Sequence, residues 1–218
     1  MALGVFGGNV LKFVKAFSTI LLSCTLVIAG CIGGGDPHQF NGESPGEGKA
    51  APFTLLDQKG EQWSLSQIEG NVTIVSFIFT RCPDICITSS LNIKFVLSEL
   101  SQEERESVQL VSITVDPWHD TPEKMGIFAD DRTTGWPHLT SSNAGDLNQS
   151  FPELEEIWGN YNVSLETYDA GGGEYLIQHS LPIYMLDREH NKRVVWLGSD
   201  WDPFMFKQDL VYLIHENE

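Results

Sequence analysis

Two cysteines with three residues between them, Cys82 and Cys86, are the side chains of this chain best suited to chemistry. At positions i and i+4 of a helix start, two thiols have Cα atoms roughly 6 Å apart, which is inside the range that a disulfide needs. The same sulfurs could converge on one soft metal ion, because thiolates select Cu(I) or Zn(II). The pair therefore predicts redox chemistry or a metal site. A purely structural disulfide is a weaker interpretation, because so short a loop removes little entropy from the unfolded chain.

A metal site with two sulfurs usually needs a nitrogen ligand, and His179 is the best candidate for it. It lies between the glycine-rich segment 171–173 and an apolar run that starts at Ile183. Two sulfurs and one nitrogen suit Cu(I) better than tetrahedral Zn(II). Spacing alone leaves the assignment open, since a single histidine at a strand start is more often a packed or solvent-facing residue. The loop histidines His119 and His138 are weaker candidates for metal contacts. Met125, Met185 and Met205 could offer a thioether, although Met185 is predicted to be strand core.

The elements around the cysteines predict how the pair is held. Residues 73–79 form an apolar run rich in Val, Ile and Phe, which is typical of a central strand covered on both faces. Pro83 ends this run, and apolar residues from Ile87 to Leu100 recur at helical spacing. We therefore expect the cysteines at the N-terminus of a helix, where free N–H groups and the helix dipole stabilise a thiolate.

The rest of the chain predicts an α/β domain with a central mixed sheet flanked by helices. A second apolar strand is expected over residues 108–115, after an acidic loop at 103–106, and Thr121 and Pro122 then start a helix. Strand, helix, strand, helix at this spacing implies parallel neighbours in the core. The other segments predict an N-terminal β-hairpin, a helix, an inserted hairpin or flap, a terminal antiparallel hairpin and a closing helix: residues 53–65, 152–159, 163–178, 183–198 and 203–214.

Composition and charge limit the partners. The 218 residues include 30 acidic and 13 basic side chains, for a formal charge of -17. This charge argues against nucleic acid or an anionic membrane surface as a partner. The length suits one ordinary domain plus a tail, and a core of that size needs no disulfide scaffold.

The first 30 residues predict an export signal. Two lysines precede a short apolar run over residues 16–28, and the run ends in Ile28-Ala29-Gly30-Cys31, which resembles the bacterial lipoprotein box. We expect a lipidated Cys31, a flexible tether over residues 31–50 and a folded domain over 51–218. The alternative is an uncleaved transmembrane helix from about Val10 to Ile32. Either interpretation places the domain on the periplasmic side of a bacterial envelope and leaves Cys82 and Cys86 as the folded domain's cysteines.

Four motifs follow one another in a fixed order along residues 50–215. They are Thr80-Arg81-Cys82-Pro83-Asp84-Ile85-Cys86, Asp116-Pro117-x-x-Asp120-Thr121-Pro122, Trp136-x-x-Leu139-Thr140 and Tyr175-x-x-x-His179-Ser180-x-x-x-Tyr184-x-x-Asp187. With these motifs the chain resembles the SCO/SenC family of thioredoxin-like copper proteins. Two residues depart from the family pattern. Ile87 stands where the family commonly has Pro after the second cysteine, and Pro182 follows the histidine in a segment where Pro is not typical of the family. Pro182 resembles the cis-proline beside the cysteines of thioredoxins, which keeps a redox function open.

The resemblance implies a membrane-tethered copper metallochaperone with a thioredoxin-like fold. Cys82, Cys86 and His179 would bind copper, as Cu(I) or Cu(II). Asp116 and Pro117 would shape the surroundings of the site, and a simple turn at the end of a strand is the open alternative for these two residues. The implied partners are an upstream copper donor protein and the copper-centre subunit of cytochrome c oxidase, whose assembly the protein would assist.

An enzymatic function remains the alternative to copper delivery. A thiol-disulfide oxidoreductase would use one cysteine of the pair to attack and the other to resolve, and would keep the cysteines of the oxidase copper site reduced. Such an enzyme would not need His179. A peroxiredoxin fits poorly, because its peroxidatic cysteine is preceded by a Pro and a Thr at fixed offsets, and the segment Phe79-Thr80-Arg81-Cys82 lacks that pattern.

Overall fold

The structure is a computed structural model that describes residues 38–82, 85–132 and 134–216, with the backbone alone for residues 85–87. In chain order these residues form β1 (Thr54–Leu56), β2 (Gln62–Ser64), a 3-10 turn (Leu65–Ile68), β3 (Val72–Ile78), α1 (Ile85–Ser98), α2 (Gln102–Glu106), β4 (Val108–Thr114), α3 (Pro122–Arg132), β5 (His138–Leu139), α4 (Pro152–Asn160), β6 (Leu165–Gly171), β7 (Glu174–His179), β8 (Ile183–Leu186), β9 (Lys192–Trp196) and α5 (Pro203–His215).

A five-stranded mixed sheet in the order β5-β4-β3-β8-β9 forms the centre of the fold. The strand β3 pairs parallel with β4, where Val75 lies opposite Val111, and antiparallel with β8, where Val75 lies opposite Tyr184. Every residue of β3 is buried, as the apolar run predicts for a strand covered on both faces. The α/β class and the central mixed sheet are therefore confirmed.

Side chains that alternate along β3 enter two different hydrophobic cores. On one face Val75 and Phe77 pack with apolar side chains of β1, β2 and α4. On the other face Ile74 packs with apolar side chains of α1 and α5. The carboxyl end of β3, which leads to the cysteines, is thereby fixed from both sides of the sheet.

The helix α2 occupies the segment for which the sequence analysis expects an acidic loop. Ser101 accepts a hydrogen bond from the Glu104 N–H, and the Glu104 carboxylate accepts one from the Ser101 N–H at 2.8 Å. This reciprocal pair is a capping box, which satisfies two of the N–H groups that a helix start leaves without partners. The loop prediction is wrong because the acidic residues belong to this cap.

The predicted tether over residues 31–50 differs from the structure in its second half. Asn41 donates to the Asp209 carboxylate of α5 through both its backbone N–H and its side-chain amide, at 2.9 Å each. Glu43 then forms an antiparallel bridge with Val195 of β9. Residues 41–50, which we call the N-terminal strap, thus lie on the domain, and the compact unit begins at Phe40 rather than at residue 51.

A separate two-stranded sheet, β6 with β7, forms the predicted inserted hairpin. We call it the outer hairpin, because neither strand joins the five-stranded sheet. Along β7 the residues Tyr175, Ile177 and His179 are half-buried, whereas the residues between them are exposed. This alternation turns one face of β7, with His179 at its end, toward the domain.

The segment between β7 and β8 crosses the carboxyl end of β3. Leu181 and Pro182 line a small cavity together with Ser76 of β3 and Ile93 of α1. The peptide bond before Pro182 is trans, and the described residues contain no cis peptide bond. The expected likeness of Pro182 to the cis-proline of thioredoxins is therefore wrong.

Candidate metal centre

Cys82 lies in the turn that follows β3. Its backbone N–H donates to the Phe79 carbonyl at 3.2 Å, which closes the turn directly after the strand. The side chain is only 7% exposed and packs in a small hydrophobic cluster with Ile78 and with Met125 and Phe128 of α3. The sulfur is therefore held by a buried strand end and a helix rather than by a surface loop.

Cys86 lies in the first turn of α1, which begins at Ile85. Its backbone is helical, as the sequence predicts, while its side chain lies outside the described residues. The start of a helix presents N–H groups without intrahelical partners and the positive end of the dipole. Both features favour a thiolate over a thiol at this position.

His179 ends β7 and lies beside the turn that contains Cys82. Its ring makes an edge-to-face contact with Phe79, with the ring centroids 5.4 Å apart. Phe79 and Leu181 both pack against the cluster that contains Cys82. The sequence separates His179 from the cysteines by more than 90 residues, and the fold brings them to the same end of β3.

The hydrogen bond of His179 decides which ring nitrogen is available. Nδ1 lies 2.7 Å from the Ser180 carbonyl oxygen, which can only accept, so Nδ1 donates and Nε2 keeps its lone pair. Burial lowers the pKa of His179, although the bond to Ser180 acts in the opposite direction. A neutral imidazole whose second nitrogen is fixed by a carbonyl is the usual form of a metal-ligating histidine.

Asp116 and Pro117 directly follow β4, next to the end of β3. The Asp116 N–H donates to Thr114 Oγ1 at 2.9 Å, and the Pro117 carbonyl accepts from the Gly145 N–H at 2.8 Å. These bonds fix the turn after β4. The Asp116 side chain is thereby placed between the cysteine turn and the outer hairpin.

The buried carboxylate of Asp116 binds two side chains from distant parts of the chain. Its Oδ2 accepts from Arg81 Nε at 3.1 Å and Nη2 at 2.8 Å, and its Oδ1 accepts from the Tyr175 hydroxyl at 2.5 Å. The Arg81 guanidinium also lies 4.4 Å from the centroid of the Tyr175 ring. The residue before Cys82 and a residue of the outer hairpin are thus bound to one carboxylate.

The electrostatics of this cluster follow from its burial. Burial raises the pKa of Asp116 above its ordinary value, although the bonds from Tyr175 and Arg81 act against this. Burial and the bond to Asp116 both raise the pKa of the Tyr175 hydroxyl. For Arg81 burial alone would lower the pKa, but the hydrogen bond to Asp116 and the nearby acidic groups together raise the pKa above its ordinary value.

A second buried carboxylate, Asp120, fixes the residue two positions before Cys82. It accepts from the Thr80 N–H at 3.1 Å, from the Thr80 hydroxyl at 2.5 Å and from the Thr114 hydroxyl at 2.7 Å. Asp116, His119 and Asp120 place possible ligand atoms within 4.8 Å of one another. These carboxylates are bound by protein donors, so we interpret the group as a hydrogen-bond network that supports the cysteine turn.

The sequence alone assigns no role to Arg81, Tyr175 or Asp120, although all three lie in the four motifs. The available signal was their position. Arg81 and Asp120 follow the ends of β3 and β4, which are parallel neighbours, and the carboxyl ends of such strands meet at one edge of the sheet. Tyr175 shares the inward face of β7 with His179.

Two of the weaker candidate metal ligands, His138 and Met185, lie in strands of the central sheet. His138 is fully buried in β5, where its Nε2 lies 2.7 Å from the Thr134 hydroxyl, and burial lowers its pKa to about 4. Met185 is core of β8, packed in the cluster that faces α5. Met125 alone among the methionines packs in the described cluster around Cys82.

The profile of the SCO1/SenC family matches residues 41–203. The chain belongs to the SCO1/SenC family. The predicted resemblance is therefore confirmed, and the match includes the N-terminal strap and the expected domain as far as Pro203. Of this family, an SCO2-like protein of Rickettsia conorii is 41% identical over 137 residues, which are 62% of this chain and 62% of that protein. SCO1 homolog 1 of Arabidopsis thaliana mitochondria is 28% identical over 152 residues, 68% of this chain and 43% of that protein.

Solved structures of the family have the same fold. The copper-bound structure of Bradyrhizobium japonicum ScoI is 26% identical, with a TM-score of 0.63 over 76% of this chain and 99% of that chain. This likeness confirms the thioredoxin-like fold. The chain covers 62% and 43% of the lengths of the two SCO proteins named above.

The expected export signal, the lipidated Cys31 and the first part of the tether lie outside the described residues. Within residues 38–82, 85–132 and 134–216, no helix is both long enough and apolar enough to cross a membrane.

Proposed function

We propose that this chain is a copper-binding protein that holds one copper ion through Cys82, Cys86 and His179. The observation that supports it best is the environment of His179. A buried imidazole donates Nδ1–H to a carbonyl and keeps the Nε2 lone pair, beside aromatic and aliphatic side chains that pack on the Cys82 cluster. In this form the imidazole can supply one nitrogen ligand beside the cluster that contains Cys82.

The donor set fits copper on chemical grounds. Thiolate sulfurs prefer Cu(I), and a neutral imidazole completes a three-coordinate site. The lowered pKa of His179 keeps the ring neutral near pH 7, and the α1 N-terminus favours ionised thiols. Copper binding then releases the protons that the thiols still carry and stabilises the folded domain. The structure of B. japonicum ScoI was solved with copper bound, which supports copper as the ion.

Copper is the cargo of this proposed function. An upstream donor protein delivers Cu(I), and ligand exchange passes it to the copper-centre subunit of cytochrome c oxidase. The chain acts from the outer side of a bacterial cytoplasmic membrane, to which the lipidated Cys31 attaches it. This placement depends on the signal-like residues 1–30 and on the family to which the chain belongs.

An anaerobic copper titration of the reduced full-length chain tests the proposal. The chain competes with a chromophoric Cu(I) chelator, and we expect one tightly held Cu(I). Cys82→Ser, Cys86→Ser and His179→Ala should each lower the copper affinity about a hundredfold or more. Even the loss of a residue that only hydrogen-bonds to a metal ligand typically lowers metal affinity about 10–100-fold. His215→Ala is the matched control, because His215 is an exposed residue of α5 that lies 3.3 Å from Glu104. Absence of binding at micromolar copper, or equal losses in the control, contradicts the proposal.

The same variants separate copper delivery from the oxidoreductase alternative. The helix-start position of Cys86 suits a reactive thiolate, whereas the burial of Cys82 hinders direct attack on an external disulfide. If the copper site is the main function, His179→Ala abolishes tight copper binding and leaves exchange with a small disulfide largely intact. Equal loss of both activities would contradict this division of roles.

A further inference from the structure

The outer hairpin, which contains His179, is attached to the domain by few contacts. It forms its own two-stranded sheet, and every residue of β6 after Leu165 is exposed. Its base is closed by the Ser180 N–H, which donates to the Ser164 carbonyl at 2.9 Å. Above this base, the inward side chains of β7 are its main contacts with the domain. The position of His179 therefore depends on a small number of side chains.

Tyr175 makes the most specific of these contacts. Its hydroxyl donates at 2.5 Å to the fully buried carboxylate of Asp116, whose other oxygen accepts from Arg81. Hydrogen bonds to a charged acceptor are stronger than neutral ones, and leaving a buried acceptor without its donor carries a further cost. Arg81 precedes Cys82, so the same carboxylate is bonded to the chain at both sides of the proposed site.

We propose that the hydrogen bond from Tyr175 to Asp116 is a latch that holds His179 on the copper site and sets how fast copper is released. Tyr175 and His179 lie on one face of β7, about 13 Å apart along an extended strand. When the latch opens, β7 withdraws the nitrogen ligand, while Cys82 stays at the end of β3 and the Cys86 backbone stays in the first turn of α1. Tyr175 is then a positioning residue, and this role rests on the copper function proposed above.

The alternative is that Tyr175 only fills space. Its ring lies under Arg81 and meets the ring of Trp118 edge-on, with the centroids 6.4 Å apart. Phenylalanine preserves both ring contacts and lacks only the hydroxyl. Tyr175→Phe therefore separates the latch from packing.

Tyr168 provides a matched control within the same hairpin. It is exposed on β6, and its hydroxyl donates to Glu166 of the same strand. Tyr168→Phe removes one hydroxyl and one hydrogen bond to a carboxylate, as Tyr175→Phe does, without touching a contact to the rest of the domain. Asp116→Asn is a second test variant, because it keeps an acceptor oxygen for Tyr175 and removes the charge.

The first measurement is amide hydrogen exchange on the copper-free full-length chain. In Tyr175→Phe we expect exchange in residues 165–179 to be about tenfold faster or more, with the central strands unchanged. The second measurement is the rate at which an excess of Cu(I) chelator removes copper. Release should accelerate by a similar factor while the melting temperature of the domain changes little. Tyr168→Phe should change neither rate, and Asp116→Asn should change both in the same direction as Tyr175→Phe.

Three results would contradict parts of the proposal. Unchanged hairpin exchange in both Tyr175→Phe and Asp116→Asn overturns the latch, and so do equal effects of Tyr168→Phe. Faster exchange with unchanged copper release overturns its role in copper handling. If the unsubstituted chain binds no copper, the proposed function fails, and the exchange data still report whether the hydroxyl holds the hairpin.

Discussion

Two antiparallel hairpins follow one another in this chain and are held in opposite ways. The inner hairpin, β8 with β9, is part of the five-stranded sheet, and all four residues of β8 are buried. The outer hairpin, β6 with β7, has no strand neighbour in that sheet and is half-buried on one face only. Backbone hydrogen bonds and apolar burial hold the first, whereas a few side chains hold the second.

The difference matters because His179 lies where the two hairpins meet. It ends β7, and β8 begins at Ile183. The proposed sulfur ligands follow β3, which the inner hairpin and β4 enclose. A copper site built across this junction has two ligands on a fixed element and one on an element that a local opening can withdraw. Ligand exchange with a partner requires such an arrangement, because a fully rigid cage would release its ion slowly.

The largest effect is expected in the inner hairpin. Met185 of β8 is fully buried between the sheet and α5. Met185→Ala should lower the free energy of unfolding by about 2–5 kcal/mol, through lost apolar burial and the cavity left behind. Urea denaturation measures this change. A loss below about 1 kcal/mol would show that the inner hairpin is not part of the cooperative core.

Much of the fold could be predicted from the sequence because its strands have clear patterns. The continuous apolar runs of β3, β4 and β8 indicate strands buried on both faces. The sequence of β7 does not alternate between polar and apolar residues, so the exposed side of that strand is known only from the structure. The N-terminal strap has no such apolar run either. Its contact with Asp209 joins residues 168 positions apart, so no local signal indicates it.

The part of the candidate site that depends on local spacing could also be predicted from the sequence. Cys82 and Cys86 lie four positions apart, and local spacing indicates their joint role. The bonds of Asp116 to Arg81 and Tyr175 join residues 35 and 59 positions apart. These bonds form only because the fold brings the ends of β3 and β4 against the inward face of the outer hairpin. The periodicity of the sequence does not predict that contact.

A smaller effect is expected on the pH dependence of the free energy of unfolding, and it comes from the buried His138 of β5. Burial lowers the pKa of His138 from 6.5 to about 4. Between these values the unfolded chain binds a proton that the folded chain does not, so stability falls as the pH drops from about 6.5 to about 4. This group contributes up to about 3 kcal/mol over that window, and no further loss below it.

Urea denaturation at pH 7 and at pH 4.5 measures this contribution. His138→Gln should remove the part of the pH dependence that comes from His138, whatever it does to stability at pH 7. An equal pH dependence in the variant and the unsubstituted chain contradicts the prediction. Since burial also lowers the pKa of His179, we expect His179→Gln to reduce the same dependence.

The smallest effect is expected on the outward face of the outer hairpin. Leu176 of β7 is 64% exposed and lies opposite the exposed Tyr168 of β6. Leu176→Thr keeps a residue that favours strands and should change the free energy of unfolding by less than about 0.5 kcal/mol. Urea denaturation and copper release should both match the unsubstituted chain. If this substitution loosens the hairpin as much as Tyr175→Phe does, then the two faces of β7 are held alike, and the contrast between a fixed and a latched hairpin does not hold.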